Sequence, residues 1–142
     1  MTAELNLYKT DITLDNGQTV HFMYDRDSDD LEIVFERGRA NCVVELSDNI
    51  VLRFDKEKEK ALSLIVISFS VLVQLTEMGP KNFPLNGLDD LPEDLRQIVV
   101  KIITTPPVNQ FLKVSSFYPS LTFGQATPLI HVERHPSLAM IV

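Results

Sequence analysis

The run TVHFMYDRDSDDLEIVFE, Thr19 to Glu36, decides the fold. Val20, Phe22 and Tyr24 alternate with His21 and Met23, while Leu31, Ile33 and Phe35 alternate with Glu32, Val34 and Glu36. A strand turns successive side chains to opposite faces, so each half of the run lays one apolar set on one side. The polar segment Asp25 to Asp30 between the halves suits a turn. The run therefore reads as an antiparallel hairpin with one buried face.

The pattern continues in both directions. Upstream, Leu5, Leu7, Ile12 and Leu14 precede Asp15-Asn16-Gly17, where Asn-Gly predicts a type I′ hairpin turn. Downstream, Gly38 allows a reversal before Cys42, Val44 and Leu46. Ser47-Asp48-Asn49 is the next turn, and Ile50, Leu52 and Phe54 alternate with Val51 and Arg53. The charged run Asp55 to Lys60 is a solvated connection to Leu62, Leu64 and Val66, a strand apolar on both faces and so central or covered. Residues 4–67 are expected to form an antiparallel meander of about five or six strands.

The second half has another character. Phe69 to Met78 predicts a buried helix stopped by Gly79-Pro80, and 81–88 reads as loop. Leu91, Leu95, Ile98, Val99 and Ile102 give one apolar stripe, predicting a helix over 91–104. Asp90 is its expected N-cap, with Glu93 completing a capping box and Pro92 tolerated in the first turn. Phe111 to Phe117 and Leu129 to Glu133 read as extended, before a tail of Leu138-Ala139-Met140-Ile141-Val142. The expected fold is one α+β domain over 1–142. Its meander (1–67) is covered on one face by two helices, and 68–142 adds a C-terminal strand or arm.

Composition bounds the function. With 142 residues, 44% hydrophobic, the chain can close one core without disulfides, and its one Cys fits a reducing compartment. Its 20 acids against 13 Lys and Arg give −7, which argues against a nucleic-acid binder. The charge is uneven: residues 1–60 carry −6 and residues 61–142 carry −1. Met1 to Leu14 holds Glu4 and Asp11 and no apolar block, unlike a secretory signal. The greasy run Ala61 to Leu75 is interrupted by Ser63, Ser68, Ser70 and Gln74 and falls short of the ~20 residues a membrane span needs. A cytoplasmic protein is the expectation.

Residues 24–67 resemble a small prokaryotic family called domain of unknown function 2283. The resemblance rests on Tyr24, Asp25, Asp29, Leu31 and Ile33, then Glu45, Asp48, Ile50, Leu52 and Asp55, then the apolar strand Leu64 to Ile67. The chain departs where the family has Gly in the hairpin before its last strand, here the Lys-Glu run, and where Arg53 replaces an acid. The resemblance implies a small β-meander and brings no catalytic residues.

Sites for chemistry are sparse. Asp25, Asp27, Asp29 and Glu36 have the spacing of calcium-loop ligands, but Asp30 stands where that loop needs Gly and no helices flank it, so an acidic turn between two strands is the preferred reading over weak divalent binding. His131 and His135 are four apart, yet Val132 and Pro136 break the zinc-helix pattern and no third ligand is evident beyond Cys42 or His21. Cys42 has no activating neighbour, there is no nucleophile elbow, and Gly17, Gly38, Gly79, Gly87 and Gly124 never approach a phosphate-loop spacing. No metal, cofactor or catalytic residue is assigned.

The apolar second half is more suggestive. Phe111, Phe117, Tyr118 and Phe123, with Leu138, Met140 and Ile141 of the tail, are candidate partner-binding residues, because aromatics concentrate at interface cores. Packing on the chain's own core is the favoured reading of both stretches, with Phe111 to Phe123 as an edge strand beneath the helix of 91–104. The leading expectation is a non-catalytic interaction domain, an adaptor or chaperone-like assembly factor that takes a partner protein or peptide tail by strand addition, or pairs as a homodimer. Alternatives are a small-molecule or divalent-metal-binding domain with an enzymatic role, and an antitoxin-like regulatory partner for a basic target.

Overall fold

A computed structural model describes residues 7–77, 79–117, 127–133 and 136. Alternation and turn residues fold the first half into β1 (Leu7–Thr13), β2 (Thr19–Asp25), β3 (Asp30–Val34), β4 (Cys42–Ser47), β5 (Ile50–Asp55) and β6 (Lys60–Val66). These make one antiparallel sheet in the order β1-β2-β3-β6-β5-β4. Two three-stranded meanders thus join along β3 and β6, with Leu31 opposite Val66 and Ile33 opposite Leu64. The register lines up Phe22, Ile33, Leu64, Leu52 and Val44 in one row across the inner face. All five are buried.

The outer face explains Arg53. Its guanidinium donates to Ser63 Oγ at 2.9 Å and lies 3.6 Å from Glu32, bridging β5, β6 and β3. Ser63 is fully buried beneath it, at 0% exposure.

The turns differ in detail from expectation. The first hairpin is closed by Leu14 N–H to Gln18 O at 2.8 Å and Gly17 N–H to Leu14 O at 2.8 Å. Only Gly17 has positive φ, 88°, so this is a three-residue loop with glycine at the left-handed position and not a type I′ turn. Asp29 and Glu59 occupy the left-handed region at φ 60° and 54° in the β2–β3 and β5–β6 loops. Glu59 lies within the Lys-Glu run that stands in place of the expected glycine.

The second half supplies the cover. Helix α1 (Phe69–Leu72) stops after one turn, far short of residue 78. Phe69, Leu72 and Val73 reach the core, but Leu75 is 67% exposed and gives a longer helix no buried stripe. Short strands β7 (Leu75–Thr76) and β8 (Gly79–Pro80) pair there instead. Helix α2 (Glu93–Ile103) buries Val99, Ile102 and Ile103. It starts two residues later than its stripe suggests, with Pro92 as N-cap and no side-chain cap from Asp90. Proline drives the residue before it out of helical geometry, so Leu91 cannot belong to the helix.

A second sheet, not anticipated from sequence, completes the layer. Strands β9 (Phe83–Pro84), β10 (Leu112–Phe117) and β11 (Thr127–Val132) run antiparallel in the order β10-β11-β9. Leu112, Ile130 and Val132 join the same core cluster as the large sheet and α2. The result is an α+β fold with a meandering antiparallel sheet and a C-terminal strand. Among the described residues no helix is long and apolar enough to cross a membrane.

Candidate functional site

Among the described residues, an apolar concavity lies between α2 and the inner face of the small sheet. Leu85, Leu88, Val100, Ile103, Val114 and Pro128 form its walls, and its volume is about 290 Å³. Asp89, Arg96 and Thr104 also line it. Leu85 and Leu88 are anchored below, at 4% and 6% exposure, whereas Val100 is 41% exposed. The loop before α2 is pinned by Arg96. Its Nε donates to Leu88 O at 3.1 Å and its Nη2 to Asp89 O and Leu91 O at 3.3 Å each. Such a cleft offers desolvation of an apolar side chain at its centre and hydrogen bonding at its edge.

Among the described residues, none of the expected partner-binding residues lines it. Phe111 is fully buried, at 0% exposure. Its ring meets Phe22 edge-on at 5.5 Å and Phe35 at 5.9 Å, so it is a core residue and not a docking residue. Phe117 ends β10, but its side chain is not among those described. Tyr118, Phe123, Leu138, Met140 and Ile141 lie outside the described residues. The residues that do form the cleft carry a weak sequence signal: Val100 is an apolar residue outside the α2 stripe, and Leu85 and Leu88 stand in a stretch that reads as loop.

The candidate metal residues have other occupations. His131 sits on β11 with Nε2 3.2 Å from Glu133, and His135 lies outside the described residues. His21 Nδ1 is 2.6 Å from Asp11 across the β1–β2 pair. Cys42 is half-buried on the edge strand β4. Among the described residues no group of three or more His, Cys, Asp or Glu could hold a metal.

The acidic turn Asp25 to Asp30 is a structural clamp. Asp29 Oδ1 accepts from Tyr24 Oη–H at 2.5 Å, and Asp29 Oδ2 from Ser70 Oγ–H at 2.6 Å. Ser70 N–H also donates to the carboxylate, at 3.1 and 3.2 Å, while Phe69 N–H donates to Asp29 O at 2.8 Å. One hairpin residue thereby serves the open start of α1, forty residues further along the chain. Burial raises the Asp29 carboxyl, but the hydrogen bonds from Ser70 and Tyr24 outweigh it and hold the group below its ordinary value. Burial first, then the bond to Asp29 and its charge, push the Tyr24 phenol up to about 12.

Two signs follow from linkage. Asp29, depressed in the folded state, contributes stability above its unfolded pKa that is lost as pH falls through its folded one. Tyr24, raised, contributes stability below about 10 that is lost as pH rises toward about 12. Asp29→Ala removes the acceptor of three donors and puts a Cβ-only residue at positive φ. The expected loss is roughly 2–4 kcal/mol, read from denaturant midpoints at neutral pH. The gap between wild type and variant should narrow below about pH 4. An unchanged gap there would show that the carboxylate charge is not what the clamp uses.

No family model, curated protein or solved structure matches the chain.

Proposed function

We propose that this chain is a non-catalytic protein-interaction domain that receives an apolar anchor from a partner protein or peptide in the cleft between α2 and the β10–β11 sheet. An adaptor or assembly factor acts in this way. The observation that carries the reading is the cleft itself: an apolar cavity of about 290 Å³ with the exposed Val100 at its entrance. Its volume is at the floor of the roughly 300–1,000 Å³ typical of small-molecule sites, and suits one or two aliphatic side chains better than a whole ligand. The polar rim of Asp89, Arg96 and Thr104 fits the usual plan of a desolvated anchor ringed by hydrogen-bonding groups.

Selection of displayed linear peptides against the purified chain tests this. The expected winners carry Leu, Ile, Phe or Met at their anchor positions. Val100→Asp should weaken them at least about tenfold while the melting temperature stays within a few degrees, since Val100 is surface-exposed. The reading fails if no peptide is enriched, or if the enriched peptides bind Val100→Asp as well as wild type.

A further inference from the structure

The acidic chain gathers four of its bases in one place. Beyond β3 the backbone crosses to β6, where Phe35 N–H and Glu36 N–H both donate to Leu62 O, at 2.9 and 3.2 Å. This lays 36–39 alongside the β5–β6 hairpin. Between the two segments is a cleft of about 180 Å³ lined by Glu36, Arg37, Gly38, Arg39, Asp55, Lys58, Lys60 and Leu62. The hairpin wall is held in shape by its own turn. Asp55 Oδ1 accepts from Glu57 N–H at 2.9 Å, Lys58 N–H at 3.1 Å and Asn41 Nδ2 at 3.3 Å. Asn41 Oδ1 takes Lys56 N–H at 2.9 Å and ties the hairpin to the start of β4.

The charge balance inside this cleft is unusual for the molecule. Arg37, Arg39, Lys58 and Lys60 face only Glu36 and Asp55, and the Asp55 carboxylate already serves three donors. Those bonds, the one from Lys58 N–H foremost, together with the charge of Lys58 hold its carboxyl below the ordinary value. None of the four cations has an ion pair within 4 Å or a side-chain hydrogen bond among the described residues, as is also true of Lys9, Lys56 and Lys113; what sets the four apart is that they line one cleft, with only the charge of Lys58 acting on Asp55. Four like charges around a small volume repel one another, and a bound anion relieves that repulsion. Two of the four are arginines, whose planar donor fork matches the oxygens of a phosphate or carboxylate.

The cleft does not end there. Glu36 and Lys60 are shared with a second cleft of about 300 Å³, lined also by Gln18, Glu59, Ala61, Ile102, Thr105, Pro106 and Pro107. Glu59 is neutralised by Lys101 at 3.0 Å. This lobe is on the other flank of α2 from the apolar cleft: Ile102 and Thr105 line one, Val100 and Ile103 the other.

We propose that this two-lobed groove binds a small molecule bearing an oxyanion, with its phosphate or carboxylate among Arg37, Arg39, Lys58 and Lys60 and its body against Ala61, Ile102 and the Pro106-Pro107 corner. The overall charge of −7 disfavours a long polyanion but not a single anionic group entering a local basic recess. The site is independent of the interaction cleft and of whether that cleft binds a peptide.

The test uses the full chain with inorganic phosphate, pyrophosphate and citrate as probes, each against sodium chloride at matched ionic strength. Amide chemical shifts of Gly38, Lys58 and Leu62 report binding, and the melting temperature reports linkage. The expected result is saturable binding of at least one probe, weakened tenfold or more in the double variant Arg37→Ser/Arg39→Ser. Both positions are exposed, and that variant should melt like wild type. Tight phosphate with no citrate binding assigns a phosphate ligand, and the reverse a carboxylate. The proposal is overturned if nothing saturates up to about 10 mM, if sodium chloride reproduces the shifts, or if the double variant binds equally well. Val100→Asp should leave anion binding unchanged, so failure of one site is distinguishable from failure of the other.

Discussion

Replacing Gly87 by alanine is expected to cost about 3 kcal/mol or more and to lower the melting temperature by about 10 °C or more. A Cβ at this position would fall 1.6 Å from the carbonyl oxygen of Glu45 and 2.7 Å from its carbon. Gly87 N–H donates to Leu46 O at 3.0 Å, so the loop before α2 lies directly on the backbone of the edge strand β4. The neighbour is main chain, which cannot swing aside as a long side chain would. Relief requires lifting the loop, which would draw Leu85 and Leu88 out of the core and loosen one wall of the apolar cleft. Gly17→Ala is the control. No atom lies within 4 Å of its added Cβ, and its φ of 88° alone limits the cost to about 1 kcal/mol. Equal melting temperatures for the two variants would disprove the close approach of loop and strand.

Phe111→Ala should be comparably severe, with about 3–5 kcal/mol lost. Phe111 is the point where the second half grips the sheet, with its ring against Phe22 on β2 and Phe35 just after β3. Denaturant unfolding of Phe111→Leu, Phe22→Leu and the double variant should give a coupling of about 0.5–1.5 kcal/mol, as expected of an edge-on ring pair. An exposed docking aromatic would give changes within about 0.5 kcal/mol and no coupling.

That contrast shows where reading the sequence works and where it stops. β1 to β6 are legible because each alternates with period two between polar turns, and burial of one face enforces the pattern. The partner of each strand is less legible. Nothing in Leu31 to Val34 says that it pairs with Ser63 to Val66 and not with the next strand in the chain. The small sheet is harder still. Its β10 and most of β11 read as extended in the sequence, but β9 is the dipeptide Phe83-Pro84, which proline hides from strand patterns, and nothing local says that the three pair as a separate sheet. Helix α2 is visible from its stripe, while its first turn is displaced by Pro92. Phe111 fails for a different reason: an aromatic beside Leu112 in an extended stretch looks the same in sequence whether its partner is in the same chain or another. The basic recess is invisible for a related reason. Arg37 and Arg39 lie about twenty residues from Lys58 and Lys60, and only the crossing of the backbone at Leu62 makes them neighbours.

The sheet order also bears on how the chain assembles. Four of its five ladders join strands adjacent in sequence through short turns, and the fifth closes only after β6. Short loops close at little entropic cost, so this half is expected to form first. The covering layer is expected to follow, because Phe83 pairs with Ile130 and Leu112 with Val132. In that interval the row of Phe22, Ile33, Leu64 and Leu52 has nothing over it. Self-association then competes with completion of the fold, and the second half of the chain serves as the sheet's own protection against aggregation.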